Sequence, residues 1–113
     1  MPCAKSASAS LQPSLPMRIS VSALAQADFE AALDWYLDAL AFEAADDFAN
    51  EYERAMGLLQ SFPDVGSPSP YKTRAFILPK FPYSLIYCVQ PGHLRIIAIA
   101  HHSRRPGYWA GRR

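Results

Sequence analysis

The apolar residues of this chain change their spacing once, and that change limits the folds open to it. From Ala23 to about Leu40 they fall at Ala25, Phe29, Ala32, Tyr36 and Leu40, in steps of three and four that make one face of a helix. A second set at Ala45, Phe48, Tyr52, Ala55, Leu59 and Phe62 repeats the pattern until Pro63 stops it. Ser22 stands where a helix N-cap is needed, because its hydroxyl can accept an otherwise unpaired backbone N–H. After a loop marked by Gly66, Pro68 and Pro70, the period becomes two: Arg74, Phe76 and Leu78 alternate with Thr73, Ala75 and Ile77.

Two further strands are predicted at Tyr83–Val89 and Leu94–His101, joined by Pro91-Gly92, a pair suited to a tight reversal. A short β-branched run at Arg18–Val21 adds a strand before the first helix. The order is strand, helix, helix, then a three-strand antiparallel meander. Such segregation predicts an α+β fold: an N-terminal strand and a two-helix antiparallel hairpin packed on one face of a small meander sheet. The last strands are apolar on both faces, although helices on one side leave the other side open to water. That excess predicts a second cover, such as a partner chain.

At 113 residues the expected organisation is one domain, 17–113, preceded by residues 1–16. Those sixteen are rich in Ser, Ala and Pro and lack an apolar core, so they read as a disordered lead or a misassigned start. Cys3 in that lead and Cys88 in a strand are expected to stay unpaired, which fits a cytoplasmic protein. No apolar run approaches the roughly 20 residues needed to span a bilayer.

The net charge of +1 conceals a division: all ten acids lie between Asp28 and Asp64, and eight cations follow Asp64 with no acid among them. A basic half of this kind points to a polyanion or an acidic partner, with a solvated basic face as the simpler alternative. The chain ends HHSRRPGYWAGRR, where chemistry is concentrated. His101 and His102 are adjacent, so on a strand they point apart and do not make a metal site. No phosphate loop, nucleophile elbow or paired-carboxylate motif occurs, and neither metal nor cofactor is expected. An RNA-cleaving site is open to these residues: His101 or His102 for proton transfer, Arg104 and Arg105 for phosphate, Tyr108 and Trp109 for base stacking. Equally, Tyr108 and Trp109 can pack the tail back onto the fold.

The motifs Ala25-x-x-Asp28-Phe29, Trp35-Tyr36, Phe62-Pro63-x-x-Gly66, Arg74, Phe81-Pro82-Tyr83 and Leu85-Ile86-Tyr87, taken in that order, resemble the RelE/ParE superfamily of bacterial toxins. So does the closing Ala100-His101-x-x-Arg104-Arg105-Pro106-x-Tyr108-Trp109. The resemblance runs from about Met17 to Arg112. It implies the toxin of a type II toxin–antitoxin pair, held by a cognate antitoxin. RelE-like members cleave mRNA on the ribosome with cations from the meander; here Ala75, Ile77, Ser84 and His102 occupy those positions. The resemblance is therefore closer to ParE-like members, which poison DNA gyrase. Under that reading the target surface comprises Arg74, Arg95, His101, Arg104, Arg105, Trp109 and Arg112. Under the ribonuclease alternative His102 and Tyr108 are the catalytic candidates. A decayed toxin that only binds its antitoxin is a third possibility.

Overall fold

The computed structural model describes residues 17–105 and 107–112. The reading of residues 1–16 as a lead, with Cys3 in it, falls outside this range; Cys88 is buried and, against expectation, is not a free thiol but disulfide-bonded. The elements are β1 (Arg18–Val21), α1 (Ala23–Asp38), α2 (Phe42–Ser61), β2 (Ser67–Ser69), β3 (Thr73–Ile77), β4 (Tyr83–Gln90) and β5 (His93–His101). They form the predicted α+β arrangement: a helical hairpin over one five-stranded sheet, in the order β1-β5-β4-β3-β2. The meander β3-β4-β5 is antiparallel, whereas β1 joins it parallel to β5, with Val21 beside Ile96. The parallel pairing follows from connectivity, because the chain makes the whole hairpin and meander before β5 returns beside β1.

Ser22 caps α1 as its position predicts, its Oγ accepting the Ala25 N–H at 3.1 Å. The helix stops at Asp38 instead of Leu40. Leu40 takes a left-handed backbone (φ 57°) and its side chain is exposed, so it leaves the apolar face it was expected to complete. Phe62 departs in the same way: it lies just past the end of α2, ahead of Pro63, and faces solvent. Pro68, expected in a loop, sits in the short edge strand β2, where a missing N–H is tolerated.

Phe48 of α2 is the centre of the main core and is fully buried. Its ring lies 5.5 Å from Phe29, 5.7 Å from Tyr36, 5.4 Å from Phe81 and 5.3 Å from Tyr83. One side chain thus joins both helices to β4 and to the turn before it, and burying such a ring stabilises by about 1.5–3 kcal/mol. Met17 also packs in this core, and the Gln60 side chain donates to its carbonyl at 2.7 Å.

The apolar residues on the far face of the sheet have two causes. The register of β4 against β5 shifts between Ile86 and Tyr87: Ile86 pairs with Ala98 but Tyr87 with Ile96, so Ile97 is an extra residue in β5. This bulge reverses the alternation, so that Leu94 and Ile96 face the helices while Ile97, Ala98 and Ala100 share the opposite side. There they pack with Ile86, Cys88 and Trp109 in a second buried cluster. The cover expected from a partner chain is supplied, over this cluster, by the protein's own C-terminal segment.

Candidate functional site

After β5 the chain crosses the far face as a strap of successive tight turns. Backbone bonds run from Arg104 N to His101 O, Tyr108 N to Arg105 O, Ala110 N to Gly107 O and Arg112 N to Trp109 O. Trp109 anchors the strap and is 5% exposed, although its indole N–H finds no partner. At one side of the sheet Gly107 (φ +81°) lies against the Tyr71 ring, where an added Cβ would come within 2.8 Å of Cε2. Tyr71 and Lys72 form the β2–β3 turn, and both hold left-handed backbones (φ 64° and 61°), an unusual conformation for two adjacent non-glycine residues.

At the other side the strap is fixed by Asp28 of α1. Its Oδ2 accepts the Ile99 N–H at 3.1 Å, the Tyr108 hydroxyl at 3.2 Å and the Arg112 Nη1 at 2.7 Å. Arg112 Nη1 also donates to the Ile97 carbonyl at 3.0 Å. These contacts fall where β1 has ended and β5 continues, so side chains satisfy an edge that no strand among the described residues covers. The Asp28 and Arg112 side chains are each 16% exposed, and water screens their attraction little. Burial raises the Tyr108 pKa above the ordinary phenol value, and the Asp28 charge raises it further, with Arg112 and Arg104 opposing. Tyr108 is therefore a neutral hydrogen-bond donor and is poorly suited to act as a base near neutral pH.

The remaining candidates are dispersed. His102 is exposed, with Nε2 2.9 Å from the hydroxyl of the buried Ser84. His101 lies on the helical side, its ring edge-on to Tyr83 at 5.0 Å, and its Nδ1 accepts the Ser103 N–H at 3.0 Å. Arg74 is half-buried and donates to the carbonyls of Asp64 and Gly66, clamping the loop after α2. Arg95 is half-buried near the start of β5 and donates to Ser20 Oγ at 3.1 Å, while Ser20 also meets His93 Nε2 at 2.8 Å. Arg112 and Trp109 are occupied in holding the strap. Of the predicted target residues, Arg104 and Arg105 are the exposed ones, with the Arg104 guanidinium 3.9 Å from the Tyr108 ring centroid. No group of His, Cys, Asp and Glu among the described residues is placed to hold a metal ion, and no helix there is long and apolar enough to cross a membrane.

Four residues that take part were not singled out as site candidates from the sequence. Asp28 was quoted only as part of a motif, yet it adjoins Phe29 and follows Ala25 by three, which places an acid at the margin of an inward helix face. Ser84 carries no local signal, since its partner His102 is met only through sheet pairing. The role of Tyr71 and Lys72 rests on a turn conformation that their residue types disfavour.

The helical hairpin and mixed sheet define a small α+β domain whose fold occurs among solved structures. It matches a chain of the chromosomal ParDE TA system from P. aeruginosa with a TM-score of 0.64 and 23% identity, over 75% of this chain and 95% of that one. A family model for the ParE toxin of the type II toxin–antitoxin system parDE matches residues 19–106, and the chain belongs to that family. No curated protein matches it in sequence.

Proposed function

We propose that this toxin arrests growth by poisoning DNA gyrase, and that a cognate antitoxin neutralises it. Its ParE family membership supports the toxin role and the pairing with an antitoxin. The observation that carries the gyrase reading over ribonuclease is the separate engagement of the two proton-transfer candidates. His102 lies against Ser84, while the Tyr108 hydroxyl is given to Asp28. Ala75 pairs with Ile86 and Ile77 with Ser84, so the meander brings no cation to Ser84 from β3. A phosphorane has no electrostatic support without such cations.

The surface left for the target is the exposed turn of the strap, Arg104 and Arg105, in the basic half of the chain. The test combines purified gyrase, relaxed plasmid and the toxin. Inhibited supercoiling with accumulation of cleaved plasmid is the expected result. Unimpaired gyrase together with codon-phased mRNA cuts in induced cells would replace this reading with the ribonuclease one. Arg104→Ala with Arg105→Ala is expected to remove the gyrase effect while the protein stays folded.

A further inference from the structure

We infer that the strap turn and the β2–β3 turn together form a binding site for the phosphate backbone of duplex DNA. The inference rests on the gyrase reading only for its biological setting, since the binding is a property of this chain alone.

The contact of Gly107 with the Tyr71 ring brings two cationic segments to one corner of the molecule. One carries Lys72, the other Arg104 and Arg105, and all three side chains belong to exposed residues. Among the described residues no carboxylate lies within ion-pair distance of any of the three. The acids that do meet cations of the basic half are matched elsewhere, Asp28 with Arg112 and Asp64 with Arg74. The two segments add cations of one sign to neighbouring parts of the surface, an arrangement that a polyanion relieves. The backbone of the β2–β3 turn points the same way. Tyr71 and Lys72 keep left-handed conformations that asparagine or glycine would adopt more easily. The turn seats the strap through the Tyr71 ring on Gly107 and carries the exposed Lys72 next in sequence. Strain of this kind is kept where the surrounding structure uses it.

The rings at the corner favour duplex over single strands. Sequence-tolerant single-strand binding relies on open aromatic faces for successive bases. The Tyr108 ring already carries the Arg104 and Arg112 guanidinium groups, at 3.9 and 5.0 Å from its centroid. Tyr71 lies against Gly107, and one partly covered ring does not make a stacking platform. What remains is charge, which reads phosphates without regard to sequence.

The experiment follows fluorescence anisotropy of a labelled 30-base-pair duplex titrated with the full chain at 50 and 200 mM salt. Three phosphate contacts give a slope of about −2.7 in log K against log salt, hence about 40-fold weaker binding at the higher salt. Lys72→Gln is expected to cut that ratio to about 12-fold, and Arg104→Gln with Arg105→Gln to about 3.5-fold. Arg18→Gln, on the β1 edge, serves as the control and is expected to leave the ratio unchanged. Trp109 emission verifies that each variant keeps the strap docked. No binding at 50 mM salt, or variants whose ratio matches the parent, would overturn the inference. Tighter binding to a single-stranded RNA of equal length would overturn it in favour of RNA. The two readings fail separately: gyrase poisoning without duplex binding refutes this site alone, and duplex binding without poisoning refutes the gyrase target alone.

Discussion

Replacing Asp28 with alanine removes one carboxylate oxygen on which three donors from distant parts of the chain converge. Ile99 is 3% exposed, so its backbone N–H is left unpaired and buried at a cost of about 1–3 kcal/mol. The Arg112 guanidinium keeps the Ile97 carbonyl but loses its counter-charge at a site 16% exposed. Breaking a fully buried pair costs about 3–5 kcal/mol, and the partial exposure brings this nearer 2 kcal/mol. The Tyr108 hydroxyl, at the half-buried surface, can turn to water and adds little. The total is about 3–5 kcal/mol. For a domain of this size the lower bound corresponds to a fall in Tm of about 12–24 °C. The assay is urea unfolding followed by tryptophan fluorescence in a Trp35→Phe background. Trp35 is 65% exposed and Trp109 is 5% exposed, so the remaining signal reports the strap. Asp28→Ala should lower the midpoint and red-shift the native emission, and Asp28→Asn should do so less. A double-mutant cycle with Arg112→Ala should give a coupling above about 1 kcal/mol. A change below about 1 kcal/mol with unshifted emission would refute the claim that Asp28 holds the strap.

Three further predictions concern the same fold. Trp109→Ala should cost about 3–5 kcal/mol, whereas Trp109→Phe should stay within about 1.5 kcal/mol of the parent, because it loses volume but also removes an unpaired buried N–H; chemical denaturation distinguishes them. Gly66→Ala should destabilise by more than about 2 kcal/mol, since a Cβ there comes within 2.5 Å of the Tyr87 hydroxyl that accepts the Gly66 N–H and donates to Pro63, and thermal melts measure it. The pKa values of Tyr36, Tyr52, Tyr83, Tyr87 and Tyr108 are all raised, first by burial. The folded state therefore holds these protons more tightly than the unfolded one. Their contribution to stability is complete below pH 10 and is lost as pH rises through the folded values. Absorbance at 295 nm should show phenolate formation of these five delayed past that of free tyrosine and merging with unfolding, and their ionisation near pH 10 in a folded protein would contradict this.

The helices and meander were legible because their signals are local: a 3.6-residue or two-residue period, a serine cap, prolines that stop an element. Leu40 and Phe62 fit the helical period but sit past the ends, where loop geometry decides which way a side chain points. The bulge at Ile97 and the parallel seat of β1 were hidden for another reason. Both are set by pairing between residues far apart in sequence, and no window of the chain contains both partners. The site suffered most from this. Arg74, Arg95 and Arg112 look alike as letters, yet one clamps a loop, one meets Ser20 and one pairs with Asp28. Arg104 and Arg105 are exposed where the strap turns. The division of charge at Asp64, in contrast, can be read at once.

The bond between Asp28 and Arg112 spans 84 residues, from early in α1 to the last described residue. Synthesis runs from the N-terminus, so the helical hairpin leaves the ribosome well before the strand that will seat β1, and the strap follows that strand. Until that moment the second apolar cluster lacks Trp109 and the upper edge of β5 lacks its seal. A nascent or truncated chain ending short of residue 109 thus presents an uncovered sheet that any extended segment nearby can join. The far face becomes self-contained only once the strap has emerged.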